Sequence, residues 1–167
     1  TKEDSAVKNP DTTGWFEYEY PDYEKIKGSA IDASYLLDKP AGKHGYVAVD
    51  GDKFRFSDGS EGRFMGINLP GDSAMPQKYE AKELAGRLAQ NGFNLVRFHL
   101  IENSLYEQKS TGGRKLSEDK LDRMFFLMSC LKENGIYYYV DLAGGKEITD
   151  DDTNVTDIEN IWRAYKN

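Results

Sequence analysis

From residue 44 onward the apolar positions of this chain fall into two alternating periods. Tyr46-Val47-Ala48-Val49 runs into Asp50-Gly51, and Phe54-Arg55-Phe56 is followed by Asp58-Gly59. Asp-Gly suits a turn with positive φ between two strands, so the spacing predicts a β-hairpin. The next run, Arg63-Phe64-Met65-Gly66-Ile67-Asn68-Leu69, is more continuously apolar and predicts a buried strand fed by that hairpin. Pro76 is expected to open a helix, with Asp72 or Ser73 as cap and Leu84, Ala85, Leu88 and Ala89 on its apolar face. Gly92 should end it, since a helix C′ position favours positive φ. Phe93-Asn94-Leu95-Val96-Arg97-Phe98-His99 then predicts a second buried strand.

The same alternation repeats. Ser117 is the expected N-cap of a second helix, with Glu118 and Asp119 in its first turn, where carboxylates meet the positive end of the helix dipole. Leu121, Met124, Phe125, Met128 and Leu131 form its predicted stripe, and Asn134-Gly135 its stop. Ile136 to Leu142 predicts a third strand, and residues 157–165 a last short helix. Towards the amino end, residues 1–13 read as a loose polar tail, 15–20 as a short edge strand, and 28–42 as irregular coil packing Ile31, Leu36 and Leu37.

Strand, helix, strand, helix, strand implies an α/β fold with parallel pairing. Three segments follow: an N-terminal extension (1–28), an irregular segment with the β-hairpin (29–60), and βα units (61–167). In such folds chemistry gathers at the carboxyl ends of the strands. Those ends carry Asn68, then Arg97 and His99, then Asp141. The polar stretch 102–115 follows the second strand on the same side and reads as a solvated loop containing Glu102 and Glu107.

Composition narrows the partners. Net charge is −7, from 22 basic and 29 acidic residues, with no basic stripe, which argues against nucleic acid and anionic membrane. No apolar run is long enough to cross a bilayer. The single cysteine, Cys130, falls in a helical apolar pattern and is expected to be buried. Aromatic residues make up 13% of the chain, a level that suits either a sugar-stacking surface or an ordinary core. Two His and one Cys make a structural zinc site a poor expectation. Asp150 to Asn154 invites a calcium reading, but the EF-hand Gly and Glu positions hold Val155 and Ile161. Asn154-Val155-Thr156 is a formal glycosylation triplet of a kind common by chance. His44 reads as a turn or packing residue. Arg97 reads as a site arginine or a structural ion-pair partner, His99 as a pocket or core histidine, and Asp141 as a ligand for a sugar, for the backbone or for Arg97.

Several runs, in this order, resemble the opening of bacterial proteins similar to the family-5 glycoside hydrolases, the cellulases and mannanases of clan A. They are Asp32-Ala33-Ser34, Pro40-Ala41-Gly42-Lys43-His44-Gly45, Arg63 to Asn68, Gly92 to His99, and Leu131 to Tyr137. The resemblance covers roughly residues 29–145. It implies a (β/α)8 barrel, retaining hydrolysis by two glutamates after the fourth and seventh strands, and a carbohydrate ligand. An extracellular or cell-surface location is expected, with the cytoplasm left open, and no metal or cofactor is expected. A full barrel takes roughly 250 residues. The expectation is therefore a partial barrel of three βα units behind an N-terminal hairpin, with no catalytic residue inside this chain. Such a segment is expected to be inactive alone, and to self-associate or pair with a missing C-terminal half. By the resemblance, Arg97 matches the second-strand arginine that keeps the nucleophile ionised, and His99 lines the same end. The chain departs from the pattern at Ala143, where a substrate-contacting histidine is usual, and at Met65, where the family places a tryptophan. Two other readings stand beside this one: a noncatalytic carbohydrate-binding or interaction module, and an enzyme of another α/β class built on Arg97, His99 and Asp141.

Overall fold

A computed structural model of the chain describes residues 11–17, 22–107, 115–141, 157 and 160. Over these residues the protein is mixed α/β, with two small sheets and helices between the strands. In chain order the elements are α1 (Tyr23–Ile26), β1 (Val47–Asp50), β2 (Lys53–Phe56), β3 (Glu61–Gly62), β4 (Gly66–Pro70), α2 (Lys78–Gln90), β5 (Leu95–His99), α3 (Glu102–Leu105), α4 (Glu118–Glu133) and β6 (Tyr137–Val140).

The first sheet is an antiparallel meander in the order β1-β2-β3. Its tight turn uses Gly51 at φ 62°, the left-handed backbone that glycine adopts without a Cβ penalty. The apolar run expected as a strand over 63–69 is one only from Gly66, and the two residues before that run, Glu61 and Gly62, belong to the meander. The break between them is fixed by Asn94, whose side chain accepts from the Met65 amide at 2.7 Å and donates to the Arg63 carbonyl at 2.7 Å.

The second sheet is parallel, in the order β4-β5-β6, and no further strand flanks β4 or β6 among the described residues. Its register places Asn68 beside Arg97 and Arg97 beside Tyr139. Because side chains alternate across a strand, these three share one face with Gly66, Leu95 and Tyr137. The opposite face carries Leu69, Val96 and Phe98, which are buried under α2 and α4 together with Ile136 from the approach to β6. Both helices therefore cover the same face, and they also pack on each other.

Helix α2 starts later than Pro76. The segment Gly71–Ala74 is a 3-10 turn, and the helix cap is Gln77, whose amide donates to the Glu80 side chain at 2.9 Å. Ala81, Ala85, Leu88 and Ala89 form its buried stripe, while Leu84 is only half-buried. Helix α4 is capped by Ser117, as its sequence implies, but its stripe is rotated. Met124, Leu127, Cys130 and Leu131 are buried, whereas Phe125 is 58% exposed. Both helices end in Asn-Gly with the same closure. Gly92 and Gly135 have φ of 78° and 80°, and the residue after each donates back to Leu88 and Leu131 respectively.

The N-terminal region works as a strap. Tyr23 lies against Gly86 of α2, where a Cβ would stand 2.2 Å from its hydroxyl oxygen, and Gln90 donates to the Tyr23 carbonyl at 2.9 Å. Ala41 donates to Lys132 at 2.9 Å, and the Asp38 carbonyl sits so close to Gly135 that a Cβ there would lie at 2.8 Å. Of the three apolar residues expected to pack in 28–42, only Leu37 does, while Ile31, ahead of a 3-10 turn, and Leu36, the last residue of that turn, are exposed. Trp15 and Phe16 are exposed and not in a strand, and residues 18–20 of that expected strand lie outside the described residues. So do Leu142, Ala143 and the 150–156 stretch, and all of the 157–165 helix except Asp157 and Asn160. No helix among the described residues is long and apolar enough to cross a membrane.

Candidate functional site at the carboxyl end of the parallel sheet

At the amino end, the exposed face of the parallel sheet is filled by rings. Phe56 stacks on Tyr137 with centroids 5.6 Å apart, and Phe64 meets both edge-on. His44 sits beside Phe56 at 5.6 Å, between Asp58 and Asp38 at 2.5 and 3.3 Å. It is a tethering residue of the hairpin, and lies with the hairpin at the amino end of the sheet.

The carboxyl end is polar. Arg97 and His99 are two apart on β5 and share a face, and Asp141 follows β6 in the next row, its amide bonded to the Phe98 carbonyl at 3.1 Å. The three side chains meet. Arg97 donates from Nε to Asp141 Oδ1 at 3.1 Å and from Nη2 to Oδ2 at 2.8 Å, a bidentate fork. His99 Nδ1 lies 2.6 Å from the same Oδ2. The carboxylate is nearly covered, its side chain 10% exposed, while those of Arg97 and His99 are 43% and 30% exposed.

The Arg97 bonds, and after them the His99 bond, hold the Asp141 carboxyl below the usual carboxylate range. The group is therefore an ionised acceptor at neutral pH, and has no proton to give as a general acid. Among the described residues it is also the one carboxylate in this cluster, whereas retaining hydrolysis takes two about 5–5.5 Å apart. What the cluster can do is present the outer nitrogens of Arg97 and His99 beside an aromatic ring. The Tyr139 ring lies 5.9 Å from the Arg97 guanidinium and is 57% exposed.

Asn68 is in register with Arg97 and exposed, but makes no hydrogen bond to the cluster. Glu102 is not in a solvated loop. It opens the α3 turn directly after β5 and is buried, at 7% exposure. Leu100, between them, has a φ of 52°, a conformation that costs a branched side chain energy and turns the chain sharply out of β5 beside His99. Tyr139 is the member of this surface that sequence reasoning passed over. Its signal was parity, since it stands two residues before Asp141 on one strand. Among the described residues no group of three or more His, Cys, Asp or Glu is placed to hold a metal ion.

No family model, no curated protein and no solved structure matches this chain.

Proposed function

We propose that these βα units are the opening of a β/α barrel of the glycoside-hydrolase type, and that Asn68, Arg97, His99, Asp141 and Tyr139 form one wall of its carbohydrate cleft. The observation that carries the reading is the joining of Arg97, His99 and Asp141 at the carboxyl ends of adjacent parallel strands, next to an exposed tyrosine ring. Sugar hydroxyls are met by directed donors and acceptors, and sugar faces by aromatic rings. The fold is consistent with this. Three strands lie in chain order, both helices cover one face, and the other face is left uncovered by helices, as the inner face of a barrel would be. The hairpin and its aromatic cluster would then plug the amino end.

In this reading the wall binds and orients but does not hydrolyse, because its one carboxylate is ionised and committed to Arg97 and His99. The site would act on a secreted or surface polysaccharide only with carboxylates from further strands, supplied by more of the protein or by association. The test is titration of the 167-residue chain with cellotetraose and mannotetraose, followed by NMR. Binding of either, weakened at least fivefold by Arg97→Ala and by Tyr139→Ala, supports the reading. Binding of neither, or binding that ignores both substitutions, defeats it. Release of reducing sugar that depends on Asp141 would show that the wall is itself catalytic.

A further inference from the structure

The Asp141 carboxylate serves three N–H groups with two oxygens, and the two side chains it serves are each more exposed than it is. A covered anion that holds two outward-reaching side chains fixes their orientation at the surface. For Arg97 the consequence is geometric. Nε and Nη2 are used, and the two N–H groups of Nη1 remain beyond the fork; among the described residues Arg97 donates to Asp141 alone. For His99 the consequence is chemical. An ionised carboxylate can only accept, so the 2.6 Å contact requires a proton on Nδ1. In the neutral ring Nε2 then carries the lone pair, pointing away from Asp141.

We propose that Asp141 is a positioning residue that holds His99 in the Nδ1–H tautomer. Nε2 then accepts a hydrogen bond from one ligand hydroxyl while Arg97 Nη1 donates to its neighbour, an arrangement that fits two adjacent hydroxyls of a sugar ring. Both side chains bond the same Oδ2, at 2.8 and 2.6 Å, so guanidinium and imidazole meet at one oxygen. A hydroxyl can give a proton to one partner and take one from the other, so an acceptor beside a donor matches a vicinal diol. Two donors side by side would instead favour an anion. The inference rests on the carbohydrate reading above and specifies which atoms of this wall make the polar contacts.

The chain has only two histidines, so long-range proton–nitrogen NMR of the imidazoles resolves both, and His44→Gln assigns them. In alkaline buffer, with neutral rings, His99 should show a protonated Nδ1 and a bare Nε2 in the unsubstituted chain. Asp141→Asn replaces one acceptor oxygen with a donor and removes the charge, and His99 should revert to the Nε2–H form that free imidazole side chains prefer. A residue that only stabilised the fold would not move this signature. Titration with cellotetraose and mannotetraose should then shift the His99 Nε2 resonance, and the affinity should fall at least fivefold in Asp141→Asn. An Nε2–H tautomer in the unsubstituted chain overturns the inference and needs no variant to be seen. Sugar binding that leaves Nε2 unmoved overturns it while leaving the carbohydrate reading intact. If no resonance in the chain responds to either sugar, the reading falls and the inference with it.

Discussion

Tyr137, the first residue of β6, stacks on Phe56, the last residue of β2, with ring centroids 5.6 Å apart and planes 30° from parallel. The contact joins two sheets that share no strand, and the Tyr137 hydroxyl adds a bond from the Gly42 amide at 3.1 Å. Two substitutions separate these roles. Tyr137→Phe should keep the stack and cost about 0.5–1.5 kcal/mol, the usual net value of one hydrogen bond. Tyr137→Ala should cost roughly 2 kcal/mol or more, because the packing of Phe56 and Phe64 goes with the ring. Equal losses in urea unfolding would mean that the ring contributes nothing.

The hairpin is also tied down by charge. The bond to Asp58, then that to Asp38, raises the His44 pKa above its ordinary 6.5, while bonds from Ser60, followed by His44, lower Asp58 to about 2. The other charge at this point is Lys43, paired with Asp38 at 2.6 Å. A raised histidine pKa stabilises below the unfolded value and is lost as pH rises through the folded one. A lowered carboxylate pKa stabilises above its unfolded value and is lost on acidification. The tether is thus at full strength between about pH 4 and 6.5. His44→Gln should flatten the fall in melting temperature above that window, and a profile parallel to that of the unsubstituted chain would show that His44 is not part of it.

Gly135→Ala should destabilise the chain by more than about 1 kcal/mol, since the new side chain faces two penalties at once. The backbone has a φ of 80°, and a Cβ would lie 2.8 Å from the Asp38 carbonyl oxygen, which is main chain and cannot swing aside. Limited proteolysis should then cut the strap around residues 36–42 sooner than in the unsubstituted chain.

Leu127→Ala should cost about 2–5 kcal/mol, as expected for a fully buried leucine, and Phe125→Ala under about 1 kcal/mol. A larger loss at Phe125 in thermal or chemical unfolding would mean that α4 presents its other face to the sheet.

That last pair marks where the sequence stopped being legible. Leu121-Met124-Phe125-Met128-Leu131 and Met124-Leu127-Cys130-Leu131 both satisfy helical spacing, and only the position of the sheet decides between Phe125 and Leu127. The strands, by contrast, were readable from apolar runs that follow the Asn-Gly helix stops at 91–92 and 134–135, and the hairpin from Asp50-Gly51. The break between Gly62 and Gly66 was not, because the run stays apolar and Asn94, some thirty residues away, enforces it. Arg97, His99 and Asp141 could be named because they stand at strand ends. Their mutual bonding depended on register, which alternation alone does not set. Glu102 misled because a carboxylate in a polar stretch looks solvated until the turn after β5 folds it inward.

The strap makes contacts across long stretches of sequence. Gly42 bonds a ring ninety-five residues downstream, and Ala41 is held by the end of α4. On a growing chain, then, the hairpin leaves the ribosome long before its seat exists. Phe56 and Phe64 can pack on each other early, but their contact with Tyr137 has to wait until β6 is synthesised. Docking of the hairpin is thus expected to follow formation of the parallel sheet, because its seat on β6 is distant in sequence.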